Sequence, residues 1–429
     1  MNNFKNLRGT VDLYPDQLIK WQNVENVLRD QLLRASVKEI RTPIIEMTEL
    51  FIRGIGEGTD VVSKEMYTFN DRAERSCTLR PEGTASVARA LINRGLRAYP
   101  FQKLWYMGPM FRYERPQAGR QRQFHQLGVE FIGYDSPRSD VEIIILAWDL
   151  LNKLGLKNLK LEINSLGDID DRRNFETSFL VWLKGNSELL DLDSQKRIDK
   201  NPLRIFDTKN KDTLKLLKKA PKLKDFLSSA SLKRYSSIKD KLEALKIPFF
   251  ENHNLVRGLD YYTHTAFEIT SNDLGSQATV CGGGRYDNLI ENMGGEKTPA
   301  IGFAIGLERL MLLAGDEMTK SRNTDVYIIN SGSKSESLAM HLSRKLKNFD
   351  LLTELDISGA TLSKQFKKAN RLNARSVIII GEDEADKNEF IIKLFNGKVD
   401  ENKQEVIPID NEKRLKNWLD ENLTLKINY

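Results

Sequence analysis

The hydrophobic and polar positions from Leu104 to Tyr134 follow the pattern of a strand, a basic loop and a second strand. Arg112 and Glu114 are two residues apart on the outgoing segment and therefore share one face. The connecting segment Arg115–Gln123 contains proline, glycine and three arginines, a composition typical of an ordered turn facing an anion. The returning segment separates two sets, Phe124, Gln126, Gly128 and Glu130 on one face and His125, Leu127, Val129 and Phe131 on the other. The pattern predicts a β-hairpin with one apolar and one ligand-binding face. An exposed, salt-bridged sheet edge is the alternative.

Helical spacing precedes this hairpin. Within residues 4–40 it predicts a long amphipathic helix, with apolar positions at Trp21, Val24, Val27, Leu28, Leu32 and Leu33. Ile40–Glu46 is β-branched but carries Pro43, which predicts a strand at a sheet edge, a boundary or a subunit interface. Glu82 and Thr84 stand at the entrance of the next predicted helix. They could cap its N-terminus or hold an ammonium group there.

After the hairpin the pattern predicts a helix over Asp140–Leu154, a strand over Leu159–Asn164, and helical pieces from about 170 to 246. Lys200–Lys246 holds 14 Lys and Arg against 5 Asp and Glu, a net charge of 14 − 5 = +9, whereas the whole chain carries +6. Charge this localised favours contact with phosphates, and a solvated lysine face is the alternative.

A strand is predicted from 254 to 268, and Cys281–Asp287 follows with three consecutive glycines, which permit either close approach to a ligand or a tight turn. Ala300–Leu310 predicts a strand of small residues, with room for a flat ligand, that runs into a helix with Arg309 in its first turn. From about residue 324 a separate α/β domain is predicted, with strands at 326–330, 351–355, 376–381 and 391–394 and helices at 335–347 and 361–372.

Composition narrows the class of protein. A chain of 429 residues predicts two or three domains, and a net charge of +6 favours a polyanionic partner. The apolar runs are too short for a membrane span and the first residues lack a signal-peptide pattern, so we expect a cytoplasmic protein. The two cysteines lack metal-ligand spacing, so we expect no structural zinc. Neither a P-loop nor a dinucleotide-binding glycine pattern occurs.

These segments together resemble the class II aminoacyl-tRNA synthetases. The first class motif is matched around Pro43, the second by Phe111–Glu114 with the return to Glu130, and the third by Gly302–Arg309, where Ala304 replaces the usual glycine. Two stretches are similar to signatures particular to the histidyl-tRNA synthetase family, Arg257–Tyr262 and Gly283–Asp287. The resemblance runs over essentially the whole chain.

The resemblance implies an α+β catalytic domain built on a mainly antiparallel sheet, at residues 1–323, with a helical insertion at about 170–246. It implies a C-terminal α/β anticodon-binding domain at 324–429 and a homodimer. In the implied reaction the histidine carboxylate attacks the α-phosphate of ATP and releases pyrophosphate, and the adenylate then acylates the 3′ end of histidine tRNA. Mg²⁺ is expected with ATP, and no dedicated metal site is identified.

The resemblance also implies site residues. Arg112 and Arg257 would be catalytic, bridging the carboxylate and the α-phosphate. L-histidine would be bound by Glu82, Gly83, Thr84, Arg112, Gln126, Glu130, Arg257, Tyr261 and Tyr262. ATP would be bound by Arg112, Glu114, Arg120 and Arg309. The alternative to a histidine-binding role for Glu130 and Tyr262 is a structural one, in which Glu130 pairs with an arginine across the hairpin and Tyr262 belongs to the core.

Two other functions remain open at this stage. One is a catalytically inactive paralogue, such as the histidine-sensing regulatory subunit of ATP phosphoribosyltransferase. The other is a tRNA-sensing binding module that has lost catalysis. The presence of Arg257 and the glycine–arginine–tyrosine stretch argues against the first, and the set Arg112, Arg120, Arg257 and Arg309 argues against the second.

Overall fold

A computed structural model describes residues 4–199, 202–208, 210–256, 259–277, 279–395 and 399–423. The chain forms two compact units, Met1–Lys320 and Ser321–Tyr429. The strands of unit 1 are β1 Lys38–Glu39, β2 Ile45–Met47, β3 Tyr67–Asn70, β4 Ser76–Leu79, β5 Gln102–Phe111, β6 Gln123–Ile132, β7 Leu159–Ser165, β8 Phe250–Glu251, β9 Thr263–Ser271, β10 Thr279–Arg285 and β11 Ala300–Gly306. Its helices are α1 Pro15–Arg34, α2 Thr48–Ile55, α3 Thr84–Arg94, α4 Pro137–Lys153, α5 Ile169–Gly185, α6 Leu192–Arg197, α7 Lys211–Leu217, α8 Ser229–Ala244, α9 Leu289–Asn292 and α10 Leu307–Leu313.

Eight strands of unit 1 form one sheet in the order β1-β5-β6-β11-β10-β9-β7-β8, and β2, β4 and β3 form a small second sheet. The two outer pairs of the large sheet are parallel, and the five pairings between them are antiparallel. The predicted hairpin is confirmed, since β5 pairs with β6 from Gln102 opposite Ile132 to Phe111 opposite Gln123. The predicted helical insertion is also confirmed, by α5 to α8.

One face of the large sheet packs on helices to form the main core. Leu127, Val129 and Phe131 of β6 are buried there together with residues of α1 and α4. The predicted stripe of α1 is confirmed at Trp21, Val24, Leu28 and Leu32, but Leu33 is 75% exposed. Leu33 follows Leu32 by one position, which rotates its side chain about 100° away from the buried stripe.

Three strand predictions were wrong at their boundaries. Residues 40–44 form no strand, because the buried Arg80 guanidinium donates hydrogen bonds to the Thr42 carbonyl, at 3.1 Å, and to the Pro109 carbonyl, at 2.9 Å. The strand predicted from 254 begins at Thr263. Arg112 and Glu114 lie beyond the end of β5, where the Tyr113 N–H donates to the Glu65 carbonyl at 2.7 Å instead of extending the ladder.

Unit 2 holds a separate five-stranded sheet in the order β13-β12-β14-β15-β16. Its elements are β12 Val326–Asn330, α11 Ser333–Lys347, β13 Thr353–Leu355, α12 Leu362–Arg371, β14 Ser376–Ile380, α13 Glu382–Asp386, β15 Glu389–Phe395, β16 Val399–Pro408 and α14 Glu412–Asn422. The predicted α/β character is confirmed, because β13, β12 and β14 are parallel and joined through helices. The sequence analysis missed α13, β16 and α14. Within the described ranges, no helix is long and apolar enough to cross a membrane.

Candidate active site

A cleft of about 420 Å³ lies over the face of the large sheet opposite the main core. Small residues of β11, Gly302, Ala304 and Gly306, line it as the sequence predicts for a flat ligand. The cleft also brings together ten predicted site residues: Glu82, Thr84, Arg112, Glu114, Arg120, Gln126, Glu130, Tyr261, Tyr262 and Arg309. Arg257 lies outside the described residues.

Glu130 of β6 contributes a buried carboxyl group to the cleft and is 1% exposed. Its Oε1 accepts hydrogen bonds from the Thr84 hydroxyl, at 2.7 Å, and the Tyr106 hydroxyl, at 3.3 Å, and its Oε2 accepts one from Tyr286. Burial raises the pKa of Glu130 to about 8, against the lowering effect of the hydroxyl donors. The alternative of a Glu130–arginine pair is wrong, since these described partners are all hydroxyls.

Glu82 and Thr84 lie at the entrance of α3. The Glu82 carboxylate accepts the N–H groups of Thr84, at 2.7 Å, and Ala85, at 2.8 Å, so it caps the helix. Burial raises the pKa of Glu82, and these two backbone donors oppose the rise. Each oxygen keeps acceptor capacity, because a carboxylate offers about four acceptor positions. Capping and ligand binding are therefore compatible at Glu82.

Gly83, another predicted binding residue, does not line the cleft. A Cβ built on Gly83 would lie 2.1 Å from the Tyr106 ring, so glycine is required there for packing. Gln126 does line the cleft, and its Oε1 is buried without a hydrogen-bond partner among the described residues. A buried acceptor of this kind is costly unless a ligand satisfies it.

The other end of the cleft carries guanidinium groups. Nε of Arg112 donates to the Pro81 carbonyl at 2.8 Å, which fixes Arg112 beside the Glu82 end. Arg120 Nη1 lies 3.1 Å from one Glu114 oxygen, and Arg112 Nη1 lies 3.9 Å from the other. Arg309 donates to the Thr279 carbonyl at 2.6 Å. Burial lowers the pKa of Arg309, and the Arg120 charge lowers it further, so this end attracts anions.

Tyr261 and Tyr262 form one wall, and both are less than 9% exposed. Their ring centroids lie 4.7 Å apart, and the Tyr261 ring meets the Tyr286 ring edge-on at 5.5 Å. Tyr262 is thus at once part of an apolar cluster and a cleft residue. Burial raises the pKa of the Tyr261 hydroxyl well above its usual value, which keeps it a neutral donor.

The sequence analysis missed three residues that contribute to the cleft. Tyr106 and Tyr286 hold Glu130, and Glu65 lines the guanidinium end. Tyr286 stands inside the family-specific stretch Gly283–Asp287, which was the available signal. Its neighbour Arg285 faces elsewhere, into a buried ion pair with Asp140. Among the residues that the structure describes, no group of three or more His, Cys, Asp or Glu side chains could hold a metal ion.

Comparisons with known proteins agree with this geometry. A family profile described as histidyl-tRNA synthetase matches residues 9–310, and one described as anticodon binding domain matches residues 325–415. A histidine–tRNA ligase from Prochlorococcus marinus (strain MIT 9312) is 73% identical over 426 residues, which cover 99% of this chain and 100% of the relative. A histidine–tRNA ligase from Parasynechococcus marenigrum (strain WH8102) is 55% identical over 404 residues, which cover 92% of this chain and 94% of the relative.

Solved structures show the same similarity. Apo histidyl-tRNA synthetase from S. aureus superposes with a TM-score of 0.79 at 37% identity, covering 95% of this chain and 98% of that one. An ATP phosphoribosyltransferase regulatory subunit/histidyl-tRNA synthetase from Bacillus halodurans C shares the fold, with a TM-score of 0.64 at 21% identity over 88% of this chain and 98% of that chain. From the family profile and from relatives matched over nearly their full length, this chain belongs to the histidyl-tRNA synthetase family, the histidine–tRNA ligases of class II.

Proposed function

We propose that this cleft binds L-histidine and ATP side by side and forms histidyl-adenylate with release of pyrophosphate. It then passes histidine to the 3′ end of its tRNA with release of AMP. The observation that carries the assignment of residues is the position of the guanidinium groups in the cleft. Glu82, Thr84, Gln126 and Glu130 line one end. Arg112, Arg120 and Arg309 lie at the other end, where Glu114 and Glu65 accompany them. An amino acid with its ammonium and imidazole fits the first end, and a triphosphate fits the second.

At the amino-acid end, the α-ammonium of histidine binds Glu82, Thr84 and Gln126. The unsatisfied Gln126 Oε1 supports this placement, because an ammonium donor would complete it. The imidazole lies between Glu130 and the Tyr261–Tyr262 wall. A carboxylate accepts one ring N–H, and a tyrosine hydroxyl serves the other ring nitrogen.

At the junction, Arg112 bridges the histidine carboxylate and the α-phosphate. Its Nε is already held by Pro81, so the fork is fixed before substrate arrives, and pre-organised charge of this kind stabilises developing oxyanions. Arg257 is proposed to bind the same α-phosphate, and this proposal rests on its position in the family-specific stretch Arg257–Tyr262.

At the ATP end, Arg120 and Arg309 bind the β- and γ-phosphates, and Glu114 accepts from the adenine amino group. Arg120 is paired with Glu114, so binding of ATP exchanges this ion pair for a phosphate contact. At 42% exposure the Arg120 side chain makes a pair that contributes little, about 1 kcal/mol or less, and the exchange is cheap. Mg²⁺ enters with ATP as part of the substrate.

The remaining assignments concern partners and place. Residues 324–429 bind the tRNA anticodon, with 1–323 as the catalytic domain. The enzyme is cytoplasmic and works as a homodimer. Apolar side chains are exposed on the small sheet and the segment that leads into it, namely Ile44, Ile45, Met47 and Phe69. They support a subunit interface there, because such a patch is otherwise unfavourable in water.

Histidine-dependent ATP–pyrophosphate exchange, measured beside tRNA charging, tests the proposal. Arg112→Ala and Arg309→Ala should each reduce exchange by ~10²–10³-fold, the range for losing one aimed electrostatic donor. Arg53→Ala is the matched control, since Arg53 is 58% exposed and pairs with Glu49 on α2. A histidine-sensing paralogue would bind histidine without exchange, and a tRNA-sensing module would bind tRNA without exchange. Either result in the wild-type chain would overturn the proposal.

A further inference from the structure

The Glu130 carboxylate is enclosed by hydroxyl groups from three different segments. Thr84 comes from α3, Tyr106 from β5 and Tyr286 from the residue after β10. All of these side chains are less than 9% exposed. No cation is paired with Glu130 in the part of the chain that the structure describes, so the hydroxyls are its means of compensation for burial.

The number of hydroxyls is informative. When Glu130 is ionised, above its pKa of about 8, its carboxylate offers two acceptor positions on each oxygen. Thr84 and Tyr106 fill both positions on Oε1, and Tyr286 fills one position on Oε2. One acceptor position therefore remains, on Oε2.

The surroundings of Oε2 show where that position is accessible. Gly302 lies opposite Glu130 in the β6–β11 ladder and lines the cleft. A Cβ built on Gly302 would lie 1.8 Å from Oε2, so only glycine leaves room beside this oxygen. The remaining acceptor position thus belongs to the amino-acid end of the cleft.

Both tyrosines are themselves held in place by packing. The Tyr106 ring lies against Gly83 and Gly128, where a Cβ would come within 2.1 Å of it. The Tyr286 N–H donates to the Ala300 carbonyl at 2.8 Å, and the preceding Arg285 is anchored by two hydrogen bonds to Asp140. Neither hydroxyl can follow Glu130 if the carboxylate moves, so the two fix its orientation.

We propose that Tyr286 and Tyr106 are positioning residues for histidine selection: with Thr84 they occupy three acceptor positions of Glu130 and leave one, on Oε2, for a single ring N–H. This inference rests on the proposed role of Glu130 in binding the imidazole. One remaining acceptor matches the one N–H of a neutral imidazole. A phenylalanine side chain would leave it unpaired, and a lysine ammonium, with three donors, would itself be left unsatisfied.

Tyr286→Phe removes the hydroxyl and keeps the ring. Above pH 8, where Glu130 is ionised, we expect kcat/KM for histidine in pyrophosphate exchange to fall by ~10- to 100-fold, the range for a hydrogen bond to a charged group, while KM for ATP changes less than about twofold. Because the Tyr286 hydroxyl lowers the pKa of Glu130, its loss should move the pH midpoint of kcat/KM for histidine upward from about 8. A merely structural defect would leave this midpoint unchanged.

Tyr327→Phe is the matched control. Tyr327 is fully buried in unit 2, where its hydroxyl donates to the Asp356 carboxylate at 2.9 Å, so the same kind of bond is lost away from the cleft. Its histidine kinetics and pH midpoint should equal those of the wild type. If Tyr286→Phe does not fold, Tyr106→Phe carries the test, with the smaller effect expected of a 3.3 Å hydrogen bond.

Glu130→Gln separates this inference from the proposed function. If Glu130→Gln weakens histidine binding while the tyrosine variants keep both the KM and the pH midpoint, the positioning role is overturned and the histidine-binding role of Glu130 stands. If Glu130→Gln itself leaves histidine binding unchanged in calorimetry, the proposed role of Glu130 fails first, and this inference falls with it. Selective loss in all three variants, with the midpoint shift in the tyrosine variants, supports both.

Discussion

Nη2 of Arg285 lies 2.7 Å from Oδ2 of Asp140, and both side chains are completely buried. Nε of Arg285 donates to the other Asp140 oxygen at 3.1 Å, so the pair is bidentate. Arg234 of the insertion helix α8 reaches the same carboxylate at 3.0 Å. Burial alone would raise the pKa of Asp140, but Arg285 and Arg234 outweigh it and hold this pKa below its usual range. The cluster joins α4, the end of β10 and the insertion.

Arg285→Met should therefore destabilise unit 1 strongly. Removing one partner leaves Asp140 buried and only partly compensated, which costs about 3–5 kcal/mol. Urea unfolding followed by tryptophan fluorescence measures it, since four of the five tryptophans, Trp21, Trp105, Trp148 and Trp182, lie in this unit. The control Arg53→Ala breaks an exposed pair and should lose no more than about 1 kcal/mol. Equal losses in the two variants would contradict the central role of the buried pair.

Glu130 should make the stability of unit 1 fall as pH rises. Its folded-state pKa of about 8 exceeds its ordinary value of 4.5. Below 4.5 both states hold the proton, and between 4.5 and 8 only the folded state does, so stability present at low pH is lost as pH rises through this window. The slope approaches about 1.4 kcal/mol per pH unit.

Glu130→Gln carries no such proton, and its free energy of unfolding should depend less on pH between 5 and 8. Glu49→Gln, at an exposed carboxylate of α2, should follow the wild-type curve. Parallel curves for Glu130→Gln and the wild type would show that Glu130 is already ionised in the folded protein at pH 5.

Replacing Gln126 should affect stability and function in opposite directions. Its buried Oε1 has no described partner, so Gln126→Leu should leave stability unchanged or raise it by up to about 1–3 kcal/mol. The same change should raise KM for histidine in pyrophosphate exchange, because the ammonium loses an acceptor. Ser86→Ala is the control, since Ser86 Oγ is also buried without a described partner but does not line the cleft. It should affect stability alone, and an equal KM rise in Ser86→Ala would argue against a ligand contact at Gln126.

The β5–β6 hairpin and its two faces could be predicted because alternation along β6 directly encodes which side chains share a face. The contact of Tyr286 with Glu130 could not be predicted in this way, because the two residues are 156 positions apart. It depends on the pairing of β6 with β11 and of β11 with β10, which no local pattern specifies. Tyr106 is only 24 residues from Glu130 and lies on β5, within the predicted hairpin.

The wrong boundaries have a similar cause. Ile40–Glu46 has strand-forming residues, but the Arg80 side chain takes the carbonyl that a ladder would need. Arg112 and Glu114 alternate as a strand would, yet the Glu65 carbonyl captures the intervening Tyr113 N–H. In each case a tertiary hydrogen bond overrides the local preference. The family resemblance supplied the set of site residues, and the alternation alone would have left the ligand unnamed.

Unit 2 should be separable from amino-acid activation. A chain ending at Lys320, the boundary between the two units, should keep histidine-dependent pyrophosphate exchange but charge tRNA poorly. The exposed lysines of α12, among them Lys364 and Lys367, make the loss attributable to tRNA contact. Lys364→Glu with Lys367→Glu in the full chain should reproduce the charging defect without deleting the unit. Loss of exchange in a folded, dimeric truncation would count against separate roles.

Arg257→Ala should reduce adenylate formation by ~10²–10⁴-fold, because a fixed guanidinium at the α-phosphate would stabilise charge that develops in the transition state. Transfer of histidine to tRNA from pre-formed histidyl-adenylate should change less. In that step the nucleophile attacks the acyl carbon, and the only phosphate oxygen to gain charge is that of the leaving AMP. Arg257→Lys should not restore activity, because a compact ammonium lacks the planar fork that spans two oxygens. Single-turnover rates of the two steps, compared between the Ala and Lys variants, distinguish this from general damage to the site. Exchange near the wild-type rate in Arg257→Ala would leave Arg112, which is already held by Pro81, as the guanidinium at the α-phosphate.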